Sequence, residues 1–351
     1  MMMNHLVNKS LSRHRSFSLL QWKLQVQNKR QIHAAINKLS RDNAKNISLE
    51  LQTDGFVATP SPFLSIEDCT KIKNEYDKLF RGDFETGIYP DEWHYRKGIS
   101  LENVTREICN AWKSSSLIAS VVLNQDIGRF ISQLMGWESV RLAQDDVIWK
   151  VPFQNKEIVE DHGVDTVGYH QDSAYISTQF EPYENSVTVW FALDDVYEGS
   201  GGLEYATASH NWPVHHRQQQ EIYTNEDNNS TSPDTSQSFH SSDASSYHNP
   251  LKDAASDVGI EDNNLEKIIK RVPVRMGHAI IHHQDVWHGS GPNTSQNHRR
   301  ALVAHYLKGD VRFRSNSCEG KSVRLFEFKY LEQTICQFLL IIQCLYRYKN
   351  S

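Results

Sequence analysis

The segment Gly168-Tyr-His-Gln-Asp-Ser-Ala-Tyr175 places an imidazole, His170, two residues before a carboxylate, Asp172. On a strand, residues two apart leave the same face. An imidazole and a carboxylate converging in this way make two-thirds of a facial triad for a divalent transition metal. A third ligand, a histidine from elsewhere, would complete the triad and leave three positions open for co-substrate and oxygen. His-x-Asp alone arises by chance in many chains, where it is a structural histidine beside a surface acid. A further histidine stands in Trp287-His288-Gly-Ser-Gly-Pro-Asn293, and Asn297-His-Arg-Arg-Ala-Leu-Val-Ala-His-Tyr306 follows. The latter reads as a strand with Arg299, Ala301, Val303 and His305 on one face. An iron oxygenase that consumes 2-oxoglutarate needs a fixed cation for the distal carboxylate. Arginine suits that task because its planar fork binds carboxylate bidentately. Arg299 lies eleven residues after His288, room for a turn and a return along the neighbouring strand, and a regular strand turns Arg300 to the opposite face.

Strands and helices must position these groups. Ser65-Ile-Glu-Asp68 has the form of a capped helix start, followed by Cys69, Ile72, Tyr76, Leu79 and Phe80 at helical spacing. A second helical stretch is expected over roughly 103–135, broken near Ser114–Ser116, with folded sequence beginning near Leu51. From Leu142 the pattern changes to short strands. Val147 and Trp149 alternate with Ile148 and Lys150, and Val187, Val189, Phe191 and Leu193 alternate with Ser186, Thr188, Trp190 and Ala192. Further strands are expected at 202–208, 272–275, 278–283 and 299–307. Short strands joined by Gly/Pro/Asn turns predict a sandwich or barrel rather than a parallel α/β sheet.

These residues together resemble the phytanoyl-CoA dioxygenase family of Fe(II)/2-oxoglutarate oxygenases. The matching pieces are His170-Gln-Asp172, Trp190-Phe-Ala-Leu, Gly201-Gly-Leu-Glu-Tyr-Ala-Thr-Ala-Ser-His210, His288-Gly-Ser-Gly followed by Arg299, and Lys150-Val-Pro152 as a Lys-x-Pro element. They occur in order over roughly residues 52–315. The resemblance implies a double-stranded β-helix (jelly-roll) core flanked by N-terminal helices, giving a mainly β fold with N-terminal α. It also implies that His170, Asp172 and His288 hold iron, and that Arg299 and Ser290 hold the distal carboxylate of 2-oxoglutarate. Lys150, Gln171 and Trp190 would line that site. The implied activity is hydroxylation of a small molecule (an acyl-CoA, lipid or secondary metabolite) using O2 and releasing succinate and CO2. A catalytically silent jelly roll that binds a ligand or partner is the alternative. Related halogenases lack the carboxylate so that chloride can take its place; Asp172 therefore favours hydroxylation.

The bland readings of neighbouring residues are equally specific. His282, His283, His210, His215 and His216 read as turn or surface histidines, and Asp145 and Asp146 as exposed or capping carboxylates. Tyr169 and Tyr175 line a substrate pocket or pack as ordinary aromatics. Trp93, Trp112 and Trp137 read as core, and Lys150 could equally be a strand-edge surface lysine.

The 351 residues carry a formal charge of −6, which excludes a general nucleic-acid binder. Residues 1–40 hold seven Lys/Arg and no acid, while 218–264 hold nine acids and one Lys. The basic start, roughly 1–45, fits a mitochondrial transit peptide as well as a disordered tail; the expectation is otherwise an intracellular, cytoplasmic protein. The acidic stretch at 218–264 has little periodic hydrophobicity and reads as a disordered insert within a single domain at 51–315. Five widely spaced cysteines with no CxxC pair fit a reducing compartment and exclude a Cys-based zinc site of usual spacing. No apolar run is long enough to span a membrane. The tail at 318–351 departs from the family, being apolar and cysteine-containing over 333–346, and Lys349-Asn-Ser351 is not a peroxisomal signal. Nothing in the sequence sets the oligomeric state.

Overall fold

A computed structural model of the chain describes residues 41–152, 166–213 and 249–314. The segment at 1–40, the stretches 153–165 and 214–248, and the tail after 314 lie outside the described residues. So, therefore, do the transit-like start, most of the acidic insert, His215, His216 and the atypical C-terminus.

Two antiparallel sheets face one another. The major sheet runs in the order β1 (Phe56–Ala58), β10 (Ala279–His283), β7 (Ser186–Ala192), β12 (Arg299–Lys308), β4 (Val140–Lys150), β3 (Arg106–Cys109) and β2 (Glu92–Trp93). The minor sheet runs β5 (Val167–His170), β11 (His288–Ser290), β8 (Leu203–Ala206) and β9 (Ile269–Arg271). A small ribbon pairs β6 (Phe180–Glu181) with β13 (Arg312–Phe313). This is the expected jelly-roll core, with its two sheets left open rather than closed into a barrel. Trp190, Ile280 and Val303 of the major sheet pack against Leu203 and Tyr205 of the minor one, so the space between the sheets is a core in its own right.

The pleat explains why the two faces of the major sheet differ. Val187, Val189 and Phe191 turn outward, where Ile281, Leu302 and Ala304 join them in a larger core beneath the N-terminal helices. Those helices are α1 (Arg41–Asp54), α2 (Ile66–Leu79), α3 (Ser116–Val122) and α4 (Gln125–Met135). Ser65 caps α2 as its spacing predicts, its hydroxyl accepting the Asp68 N–H at 3.0 Å. Helix α1 begins ahead of Leu51 and buries both Ile47 and Leu51. Trp93, Trp112 and Trp137 are partly buried against this core.

Three local expectations fail for identifiable reasons. Residues 103–113 are not helical: 106–109 form β3, which pairs with β4, and 111–113 form a single 3-10 turn. Ile108 is then the inward anchor of a short strand rather than part of a helical stripe, and tertiary pairing overrides the local pattern. The strand expected at 272–275 lies earlier, as β9, with Val274 making only a bridge to Val196. The last third of the acidic stretch is helical, as α6 (Asn249–Asp257) and the start of α7 (Asp262–Ile268). Leu251, Ala254, Ala255 and Leu265 bury there against Tyr169, Ala206 and Trp287, covering the outside of the minor sheet. Two alanines in that stripe carry little hydrophobic signal, which is why its helical period is faint.

Candidate metal and co-substrate site

β5 and β11 are antiparallel neighbours in which His170 stands directly opposite His288. Their ring centroids are 4.3 Å apart. The close approach depends on Gly289, where a Cβ would fall 2.9 Å from the Val167 carbonyl oxygen and 3.2 Å from the Tyr169 nitrogen. Asp172 reaches the pair differently from the strand geometry expected of it. β5 ends at His170, and Asp172 has helical φ/ψ at the start of α5 (Ser173–Gln179). The turn, not the pleat, swings its carboxylate onto the histidines. Asp172 Oδ1 lies 3.7 Å from His170 Nε2 and 3.6 Å from His288 Nε2.

The donor set fits a divalent metal. His170 Nδ1 is 2.8 Å from the Gly168 carbonyl oxygen, and His288 Nδ1 is 3.0 Å from that of Val286. Each Nδ1 therefore carries the proton and donates it, which leaves both Nε2 lone pairs aimed at Asp172 Oδ1. One donor atom from each of the three residues falls within 4.8 Å of the others. Burial, with His288 alongside, pulls His170 down to about 4; burial and His282 do the same to His288. Both imidazoles are neutral near pH 7, the form in which they could hold a metal. Burial opposes the charge on Asp172, yet His288, His305 and the His282 hydrogen bond hold its carboxyl well below the usual range.

Around this triad lies a layer of partners that the sequence reading did not assign. Thr188 donates its hydroxyl to Asp172 Oδ2, and His282 Nε2 lies 3.1 Å from the same oxygen. Behind His282, the Tyr205 hydroxyl is 2.8 Å from Nδ1. Behind Thr188, His305 Nδ1 is 2.9 Å from Oγ1, and His305 Nε2 is 3.0 Å from Asp146 Oδ2. Burial opposes protonation of His305, but Asp172 and Asp146 on its two sides raise it to about 10. His282 and Asp146 are thus buried parts of the site rather than surface or exposed groups. Asp145 does cap, accepting the Trp112 N–H at 3.0 Å, but it is fully buried and burial pushes its carboxyl far up. The available signal was parity: Thr188 shares a face with Trp190, and His305 shares one with Arg299.

Of the groups expected to hold the co-substrate, Arg299 and Trp190 meet in the space between the sheets. Arg299 is 2% exposed, its guanidinium carbon 5.6 Å from the centroid of the Trp190 ring. Ser290 is buried on β11. Lys150 is cross-strand from Arg299, but its Nζ donates to the carbonyls of Ser290 (3.1 Å) and Gly291 (2.6 Å), holding the strand end that carries Ser290. Gln171 donates to the Asp285 carbonyl at 2.6 Å, tying the turn before Asp172 to the one before His288. Tyr169 faces outward and donates to Glu204, whereas the Tyr175 ring stands 6.1 Å from that of His170. His210 and His283 are near each other away from the triad, with ring centroids 5.3 Å apart. Two other groupings among the described residues, Glu92–His94–Cys109 and Glu107–Cys109–Asp146, share one thiol. Burial, then Asp146 and Glu107, push that thiol well up, so it is a poor metal ligand.

Comparison with known proteins agrees with this fold. The family model described as phytanoyl-CoA dioxygenase matches residues 51–301. The phytanoyl-CoA dioxygenase domain-containing protein 1 of Danio rerio is 27% identical over 141 residues, 40% of this chain. That match spans only 39% of the relative's length. Among solved structures, the non-heme alpha ketoglutarate dependent carbocyclase SnoK from nogalamycin biosynthesis superposes with a TM-score of 0.54. It is 19% identical, with 84% of this chain and 92% of that one covered. The alpha ketoglutarate dependent epimerase SnoN gives 0.52 at 18% identity, covering 81% and 92%. SnoN has also been solved in complex with Fe3+, alpha ketoglutarate and a nogalamycin compound. At these identities the two structures speak to the fold.

Proposed function

Because the chain belongs to the phytanoyl-CoA dioxygenase family of Fe(II)/2-oxoglutarate oxygenases, we propose that it is a non-haem dioxygenase that hydroxylates a small molecule. The observation that carries the reading is the convergence of His170 Nε2, His288 Nε2 and Asp172 Oδ1, with both Nδ1 atoms committed to backbone carbonyls. A metal bound there with 2-oxoglutarate would supply O2-driven oxidation of a C–H bond, coupled to decarboxylation of the co-substrate to succinate and CO2.

The chain's own residues do the rest. Arg299 pairs with the distal carboxylate of 2-oxoglutarate inside the inter-sheet core, where low dielectric strengthens the contact. Trp190 beneath the guanidinium fixes its orientation, and Ser290 shares the carboxylate with it. Lys150 and Gln171 act as struts, holding the segments that present Ser290, Asp172 and His288. The apolar wall of Trp190, Ile280 and Val303 excludes water from the co-substrate. Retention of Asp172 supports hydroxylation. SnoN and SnoK show that this fold also hosts epimerisation and ring closure, so the product has to be read directly.

The test is anaerobic titration of Fe(II) and 2-oxoglutarate into the protein, following the weak visible charge-transfer band. Wild type is expected to show the band and His170→Ala to lose it. A well-folded wild type without the band would overturn the oxygenase reading and favour a silent ligand-binding jelly roll.

A further inference from the structure

The two oxygens of Asp172 have different surroundings. Oδ1 faces His170 Nε2 and His288 Nε2. Oδ2 faces the protein: it accepts from Thr188 and from His282, and His305 Nδ1 lies 3.5 Å away. The proton order along these contacts is determined by their ends. Tyr205 is fully buried and its hydroxyl meets His282 Nδ1; donation from the hydroxyl leaves the proton on Nε2, the atom facing Asp172. On the other side Asp146 accepts from His305 Nε2, His305 Nδ1 donates to Thr188 Oγ1, and Thr188 is left to donate to Oδ2. Two chains of donors, one from each flank, thus end on a single carboxylate oxygen.

We propose that Thr188 and His282 are positioning residues that confine Asp172 to ligation through Oδ1 alone. Tyr205 fixes the tautomer of His282, and the His305–Asp146 pair fixes the direction of the Thr188 hydroxyl. The reasoning is steric and electronic. A carboxylate free to rotate can offer both oxygens to a cation and so occupy a position needed by co-substrate or oxygen. An oxygen already accepting two hydrogen bonds has little lone-pair capacity left for the metal. The three strands that supply these donors lie side by side: His282 of β10 is cross-strand from Thr188 of β7, which is cross-strand from His305 of β12. The lock is therefore built into the rigid major sheet, whereas its ligand sits on a turn.

This inference rests on the metal-site reading above, and one experiment separates the two. Co(II) is titrated into wild type, Thr188→Val, Thr188→Ser and His170→Ala, recording affinity and the visible d–d spectrum. Circular dichroism and thermal unfolding establish folding. Thr188→Val keeps the shape and removes the donor. It is expected to bind Co(II) about 10- to 100-fold more weakly and to show a changed spectrum as Oδ2 turns toward the metal. Thr188→Ser should restore both affinity and spectrum, which a purely structural role would not require. Wild-type affinity with an unchanged spectrum in Thr188→Val, alongside lost binding in His170→Ala, would overturn the lock and leave the metal site standing. A folded wild type that binds no Co(II) would overturn both.

Discussion

Arg299 and Arg300 are adjacent on β12, and the pleat sends them to opposite sides of the major sheet. On the outer side Arg300 meets Asp194 through Nε at 2.7 Å and Nη2 at 3.0 Å, and Lys73 joins the same carboxylate at 3.0 Å. That charge is closed on its own fold. On the inner side Arg299 is buried over Trp190 between the sheets. The same division runs along β7 and β10. Val187, Val189 and Ile281 face the helices; Thr188 and His282 face Asp172. Strand parity separates stability from chemistry here, and a one-residue slip would exchange them.

That division can be broken from either side. The largest expected effect is on the outer face: Phe191→Ala should cost about 3–5 kcal/mol of stability, measured by denaturant unfolding. The folded protein should still bind Fe(II) and 2-oxoglutarate as wild type does; lost binding would show that the faces are coupled. Next, Arg299→Ala should raise the 2-oxoglutarate needed to half-develop the charge-transfer band roughly 100-fold, about 2.7 kcal/mol. Arg300→Ala should cost about 1.5–3 kcal/mol of stability for its charged hydrogen bonds and leave the 2-oxoglutarate requirement unmoved. A raised 2-oxoglutarate requirement in Arg300→Ala would show that the two faces are not separate.

The smallest effect is a pH dependence. Burial opposes ionisation of Asp194, but Arg300 and Lys73 outweigh it and hold its carboxyl below the ordinary 3.8. A group with a depressed folded value contributes stability that is complete above the unfolded value and lost as pH falls through the folded one. Acid unfolding of wild type should therefore begin at lower pH than that of Arg300→Ala. The gap between them should be constant at neutral pH and shrink below about pH 4. Coincident stability curves above and below that value would remove Asp194 from the account.

Much of this was legible because its signals are local or periodic. The cap at Ser65, the alternation from Val187 to Leu193 and the placing of Arg299 against Arg300 follow from spacing alone. The three residues that converge at the triad stand in motifs with fixed order. What escaped were contacts made across strands. Thr188, His282 and His305 are far apart in sequence and become neighbours only through the register of β10, β7 and β12. His282 read as a surface histidine although it shares a strand face with the apolar Ile280, because its partners Asp172 and Tyr205 come from distant segments. β11 was not foreseen as a strand because His288-Gly-Ser290 is three residues long and glycine-centred. Asp172 reached its place by a turn into α5, which a two-residue spacing cannot distinguish from a strand.

The pairing of His170 with His288 has a consequence for how the molecule holds together. Among the described residues β5 is an edge member of the minor sheet, four residues long, and its ladder partner is β11. A short border strand of this kind is where a sheet opens first. An ion gripped by one histidine from each strand would act as a rivet through that border, with binding free energy spent on keeping the sheet zipped. Amide exchange along Val167–His170 should then slow in step with metal occupancy, making the margin of the minor sheet a built-in gauge of whether the site is loaded.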